Sequence, residues 1–264
     1  EWDQVNLEYL IIGDSFALGN CVNRPNDIAS VLRKLSKKSV LNLGYANNGP
    51  LIEYASLREY SFHKTKNIVW LYYEGSDLNN LKKELKSKIL KNYIDDQNFS
   101  QNLLQKQNLI DKIVNDSINY QYKKSLGQKE FFEDSITFKI KKFITLWNVR
   151  EALLYKSYKK EKFNPPNEFK EIMKLAKDYA KKNNSNFFFV FLPSYKKYIG
   201  KISNEEFLYV KNIVNELDIP FIDIDKEVFQ NKRNPLELFP FKLPGHYNIE
   251  GYREVAKTIY NFSN

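Results

Sequence analysis

This chain is poor in the residues that build covalent cross-links and metal centres. It has one cysteine, Cys21, and two histidines, His63 and His246, among 264 residues. A single cysteine excludes an intramolecular disulfide and a cysteine-built zinc site. Cys21 is expected to act as a small filler of the core. Neither histidine has a histidine partner at ligand spacing, so no metal centre is expected. Long apolar runs are lacking too. The strongest, Asn186–Leu192, is only strand-length, against the roughly 20 residues of a membrane-spanning helix. The sequence opens at Glu1 without Met and without a signal-like apolar stretch. We expect a leader or membrane anchor to precede it, which would permit membrane association through a segment outside this sequence.

Aromatic residues, by contrast, are plentiful. Hydrophobic residues make up 42% of the chain, with 19 Phe and 18 Tyr, which predicts a packed core rather than disorder. The length suits one large domain. The net charge is +9, and its lysines are spread along polar helix faces, as between 82 and 91. No basic tract is interleaved with aromatics into a stacking platform, so nucleic acid is not expected as a partner.

Periodicity orders the chain. Apolar runs at 9–12, 40–43, 68–73, 187–192 and 220–224 lack polar alternation and break at Gly, Asn, Pro or Asp, which reads as five buried strands. Between them apolar residues recur at helical spacing. One group is Ile28, Val31, Leu32 and Leu35, and another is Leu51, Tyr54, Ala55 and Leu57. A third is Phe169, Ile172, Met173, Ala176, Tyr179 and Ala180. A last helix carries Ile249, Tyr252, Val255, Ala256, Ile259 and Tyr260, with Asn248 as N-cap. Strands of this kind joined by helices predict an α/β fold: a mostly parallel five-stranded sheet covered on both faces. Its loops at the carboxyl ends of the strands should line one edge. Residues 78–162 break the rhythm. Phe132, Ile136, Ile140, Phe143 and Trp147 recur every three or four positions, so this stretch is expected to be a helical insertion, a lid or plain packing, within a single domain over 1–264.

Two loops and one late segment carry the chemistry. Gly13-Asp14-Ser15 follows the first strand, Gly75-Ser76-Asp77 follows the third, and Gly245-His246-Tyr247-Asn248 precedes the last helix. A serine hydroxyl needs a base within hydrogen-bond reach and donors for the developing oxyanion. Ser15, at a strand-to-helix turn, is the candidate nucleophile, and His246 the candidate base. Taken alone, Gly-Asp-Ser also makes an ordinary turn. Asp14 and Asp77 are expected to brace their turns through backbone hydrogen bonds. Tyr195 and Tyr247 can line a sugar pocket or belong to the core. His63, between Phe62 and Lys64, reads as a surface residue.

In their order and spacing these blocks resemble the SGNH (GDSL-type) hydrolases. Ile11-Ile12-Gly13-Asp14-Ser15-Phe16 is similar to the family's first block, and the run from Asn42 to Pro50 to its second. Glu74-Gly75-Ser76-Asp77-Leu78 is similar to the third, and Pro244-Gly245-His246-Tyr247-Asn248 to the last. The resemblance implies a three-layer α/β/α sandwich of flavodoxin-like kind. It also implies ester hydrolysis or acyl transfer through an acyl-serine, with no cofactor. Ser15 then matches the nucleophile and His246 the base, with oxyanion donors from Asn47, Gly75 and Ser76.

Three positions depart from the pattern. Asn47 stands where the second block usually has Gly, and Ser76 where the third has Asn, with Asn79 or Asn80 as substitutes. Leu243 and Pro244 occupy the places before the base where an Asp is usual. A backbone carbonyl, Asp223 or Asp225 is then expected to orient His246. The function these residues imply is a serine esterase or O-acyltransferase acting on an acylated glycan, O-acetylated by preference, or another small ester. The alternative is a catalytically degenerate relative that binds a glycan or a protein partner. The resemblance to members that modify envelope polysaccharides favours a bacterial cell-envelope location.

Overall fold

A computed structural model describes residues 2, 5–61, 64–132 and 163–264. His63 and most of the periodic stretch 132–147 lie outside the described residues.

Five parallel strands form one sheet in the order β2-β1-β3-β4-β5. They are β1 (Asn6–Gly13), β2 (Val40–Asn42), β3 (Lys64–Tyr73), β4 (Asn186–Leu192) and β5 (Phe221–Asp223). All five fall where the apolar runs predict them. The helices are α1 (Ser15–Leu18), α2 (Ile28–Ser36), α3 (Pro50–Tyr60), α4 (Asp77–Glu84), α5 (Lys88–Asp95) and α6 (Gln107–Phe132). They continue with α7 (Glu168–Lys182), α8 (Tyr195–Tyr198), α9 (Glu205–Glu216) and α10 (Ile249–Ser263).

Side chains alternate across a strand, so each strand feeds two cores. On one face Tyr9, Ile11, Val69, Leu71, Val190 and Ile222 pack with Ile28 and Leu32 of α2 and Tyr252, Val255 and Ile259 of α10. On the other, Tyr72 meets the rings of Phe169, Phe189 and Phe191, and Phe207 of α9 packs on Phe191. The result is the expected helix–sheet–helix sandwich. Asn248 caps α10 by accepting from the Gly251 N–H at 3.0 Å, as its sequence position predicts. Ile249 is the exception on that helix, lying exposed in its first turn.

The described chain divides into two compact units, Glu1–Gln101 with Asn164–Asn264, and Asn102–Phe163. The stretch expected as an insertion over 78–162 is therefore divided, because α4 and α5 belong to the sheet unit. Arg58 of α3 explains this. Its guanidinium donates to the carbonyls of Tyr93, Asp96, Gln97 and Phe99, tying the end of α5 and the turn after it to the sheet unit. Glu84 of α4 likewise accepts from the N–H groups of Gly49, Leu51 and Ile52, satisfying the open start of α3. In the second unit, a short 3-10 turn at Leu104–Lys106 leads into α6. Among the described residues no helix is long and apolar enough to cross a membrane.

Candidate active site

Strand order places the site. β1 lies between β2 and β3, so the chain leaves β1 toward one neighbour and returns on the other side, and the loops after these three strands open a crevice at their carboxyl ends. Ser15 follows β1, Asn47 follows β2, and Gly75 and Ser76 follow β3. Close approach at this edge needs glycine. A Cβ on Gly13 would lie 2.9 Å from the Leu71 carbonyl oxygen, and one on Gly44 would lie 2.3 Å from the Ala17 Cβ. Each is well inside van der Waals contact.

The structure brings Ser15 and His246 together. His246 Nε2 lies 2.7 Å from Ser15 Oγ, across 231 residues of chain. Both side chains are half-buried, so the pair is packed on one side and open on the other. The imidazole rests on Phe16, with ring centroids 4.5 Å apart, and Phe16 stacks on Tyr73 at 4.0 Å. Burial pushes the imidazole below its ordinary value of 6.5. It is therefore neutral at pH 7 and able to take a proton. The Ser15 hydroxyl has a second acceptor, Asp14 Oδ2, but at 3.4 Å that contact is far longer than the one to His246.

Asp14 braces the turn as expected. Its Oδ1 accepts from the Phe16 N–H at 2.8 Å. Burial pushes its carboxyl up to about 6, against the hydrogen bonds from Phe16 and Ser15. Asp77 also serves its loop, accepting from the Tyr73 N–H at 2.8 Å and the Ser76 hydroxyl at 2.9 Å. Burial first, and repulsion from Asp14 second, drive Asp77 well above the usual carboxylate range. Glu53, which the sequence did not single out, lies fully buried against the same pair and is raised in the same way, by burial and then by Asp77 and Asp14. Acids crowded together away from water cannot all ionise at neutral pH.

The expected oxyanion donors divide. Asn47 is exposed with φ +67, the left-handed conformation that a glycine would adopt there. Neither its N–H nor that of Ser15 donates a hydrogen bond among the described residues, so both are free for a ligand oxygen. Gly75 and Ser76 are not brought into this role. The Gly75 N–H donates to Glu206 Oε1 at 2.9 Å, and the Ser76 hydroxyl donates to Asp77. The carboxamides proposed as substitutes are engaged too. Asn79 Nδ2 faces the Gly75 carbonyl at 3.4 Å, and Asn80 Nδ2 the Asn48 carbonyl at 3.3 Å.

Asp223 and Asp225 do not orient His246. Asp223 accepts from the Lys226 N–H. Asp225 accepts from Tyr198 and Gln230 and pairs with Lys197 at 3.0 Å. Among the described residues the group at Nδ1 is Cys21, whose Sγ lies 3.7 Å away. Cys21 is exposed rather than a core filler, since it sits in a surface turn at φ +71. Tyr247 is core and lines no sugar pocket. It is fully buried, with its hydroxyl donating to the Pro193 carbonyl at 2.6 Å. Tyr195 is half-exposed and donates to the Lys242 carbonyl.

The sequence matches no protein-family profile and no curated protein. Solved structures do match. A protein described as lipolytic and of the G-D-S-L family, from Desulfitobacterium hafniense DCB-2, superposes with TM-score 0.51 at 14% identity, covering 98% of this chain and 99% of that one. The acetyl xylan esterase AlAXEase gives TM-score 0.51 at 11% identity, covering 97% and 99%. A protein described as a platelet activating factor, from Streptococcus pneumonia, gives 0.50 at 12%, covering 99% and 86%. At such identity the likeness speaks for architecture alone: this chain shares the α/β/α fold of these structures, and its chemistry rests on its own residues.

Proposed function

We propose that this chain is a serine esterase that works through an acyl-serine on a small acyl ester, with an O-acetylated glycan as its substrate class. The observation that carries the reading is the 2.7 Å contact between Ser15 Oγ and His246 Nε2, both of them half-buried and so still reached by solvent. In the first step Ser15 Oγ bonds to the ester carbonyl carbon while its proton passes to Nε2. The carbonyl electron pair moves onto oxygen, facing the Ser15 and Asn47 N–H groups. The pair returns as the alkoxide leaves, protonated from Nε2. Water, or an acceptor hydroxyl in the transferase form of the same chemistry, then attacks the acyl-serine with Nε2 again as base, and the adduct collapses as the bond to Ser15 Oγ breaks and Nε2 returns the proton to that oxygen. A small acyl group suits the Asn47 side chain, which narrows the crevice where glycine would leave room. The acetyl-glycan element is supported by the fold shared with an acetyl xylan esterase.

Two observations favour the degenerate binder as a second reading: the Ser76 hydroxyl is engaged by Asp77, and Cys21 rather than a carboxylate stands behind His246. Labelling with a serine-directed fluorophosphonate, alongside p-nitrophenyl acetate turnover, separates the two. An active enzyme labels, Ser15→Ala abolishes the label, and His246→Ala lowers turnover by at least about a hundredfold. Absence of both label and turnover in the unaltered chain would mean that the pair does no chemistry.

A further inference from the structure

His246 has two ring nitrogens with different duties. Nε2 faces Ser15. A base in this position works only if Nδ1 holds the ring proton, which leaves the Nε2 lone pair free. A carboxylate ordinarily enforces that tautomer. Here Leu243 and Pro244 bring no polar side chain, and no carboxylate among the described residues bonds the ring. Cys21 Sγ, at 3.7 Å, is the atom that Nδ1 meets.

The backbone around Cys21 is built to hold it there. The Val22 N–H closes a turn onto the Gly19 carbonyl at 3.3 Å, and Cys21, third in that turn, has φ +71. Glycine or asparagine is the ordinary choice at such a position. The turn is pinned on one side to Ser15 and on the other to α10. The Asn20 N–H donates to the Ser15 carbonyl at 3.0 Å, and the Tyr252 hydroxyl donates to the Asn20 carbonyl at 2.9 Å. An exposed cysteine in left-handed backbone gains nothing from packing, and such outliers gather where a site requires them.

We propose that Cys21 is the positioning residue of His246 and stands in for the missing carboxylate. Its sulfur accepts the Nδ1–H, sets the tautomer and holds the ring toward Ser15. No covalent step is involved, and Cys21 touches no reacting atom. A single sulfur contact at 3.7 Å orients the ring but gives the imidazolium formed during attack less support than a hydrogen-bonded carboxylate would, so the pair is correctly arranged and weakly driven. The inference rests on the esterase reading for its kinetic consequence and on geometry alone for the contact.

The test uses Cys21→Asp, Cys21→Ser and Cys21→Ala. Aspartate tolerates left-handed backbone. Its carboxylate oxygens reach further from Cβ than Sγ does, enough to close the gap to hydrogen-bond length. The chain has two histidines, so in a His63→Asn background the His246 ring signal can be followed alone by proton NMR. In Cys21→Asp the His246 titration should move up by about one unit or more, because an anion now faces Nδ1. With p-nitrophenyl acetate, kcat should rise in Cys21→Asp, fall on the order of tenfold in Cys21→Ala and fall to an intermediate value in Cys21→Ser, whose oxygen lies closer to Cβ than sulfur does, with KM unchanged. A His246 titration that Cys21→Asp leaves in place overturns the proposal, as does a kcat indifferent to Cys21→Ala. If the unaltered chain neither labels nor turns over, the NMR shift still decides the contact, and the esterase reading alone fails.

Discussion

The loops after β2 and β3 sit on either side of the nucleophile and inherit the same task, yet they meet it differently. In the second loop Asn47 keeps the left-handed backbone of a glycine and a free N–H. In the third loop both available donors are turned away from the crevice. The Gly75 N–H goes to Glu206, and the Ser76 hydroxyl goes to Asp77. A backbone donor survives replacement of its side chain, because φ and ψ place it. A side-chain donor is lost when a shorter side chain falls within reach of a buried carboxylate, as the Ser76 hydroxyl does beside Asp77. The comparison teaches that the site has kept what the backbone supplies and lost what a carboxamide would supply.

Restoring the carboxamide should break this asymmetry and carry the largest effect. Ser76→Asn should raise kcat by about a hundredfold or more, the usual worth of one oxyanion donor. A purified Ser76→Asn enzyme no faster than its parent would show that the third loop never faced the oxyanion.

The buried acids of the third loop offer the next effect, on stability. Burial pushes Glu74 up to about 7 from an ordinary 4.5, opposed by the Ser194 N–H and Lys197. Between those values the folded chain binds more protons than the unfolded one, so stability falls as pH rises through this window and is flat above it. The loss amounts to at most about 3 kcal/mol above pH 7. Glu74→Gln should therefore raise the melting temperature by several degrees at pH 8 and by little at pH 4. Equal gains at both pH values would rule out titration as the cause.

The smallest effect belongs to the second loop. Asn47→Gly preserves the N–H and removes only a side chain from a backbone that glycine prefers. It should change kcat for acetyl esters by no more than about threefold, while admitting longer acyl chains. A large kcat loss would assign the Asn47 carboxamide a direct role.

Much of this was legible in the sequence. The five strands, the cap at Asn248 and the turn at Asp14 rest on periodicity and local turn chemistry, which neighbours in sequence decide. Ser15 and His246 were legible because each sits in a block with its own turn residues, at a strand end or a helix start. Cys21 was read as core filler because nothing in Gly-Asn-Cys-Val signals a left-handed cysteine facing a histidine 225 residues away. Asp223 and Asp225 were plausible orienters by position after β5, and only three-dimensional competition with Lys226, Tyr198, Gln230 and Lys197 shows them engaged. The sequence reads 78–162 as one helical insertion because the bonds by which Arg58 ties residues 93–99 to the sheet unit end on backbone carbonyls, which leave no trace in residue type.

The order of strands and loops, and the residue types delivered to one edge of the sheet, were thus determined by the sequence itself, since alternation and turn preference act over a few residues. Which hydroxyl, amide and sulfur turn toward the nucleophile and its base was decided only by the tertiary structure. Every polar group brought to that edge competes for partners at hydrogen-bond range, and the winner is the nearest group in space rather than in sequence.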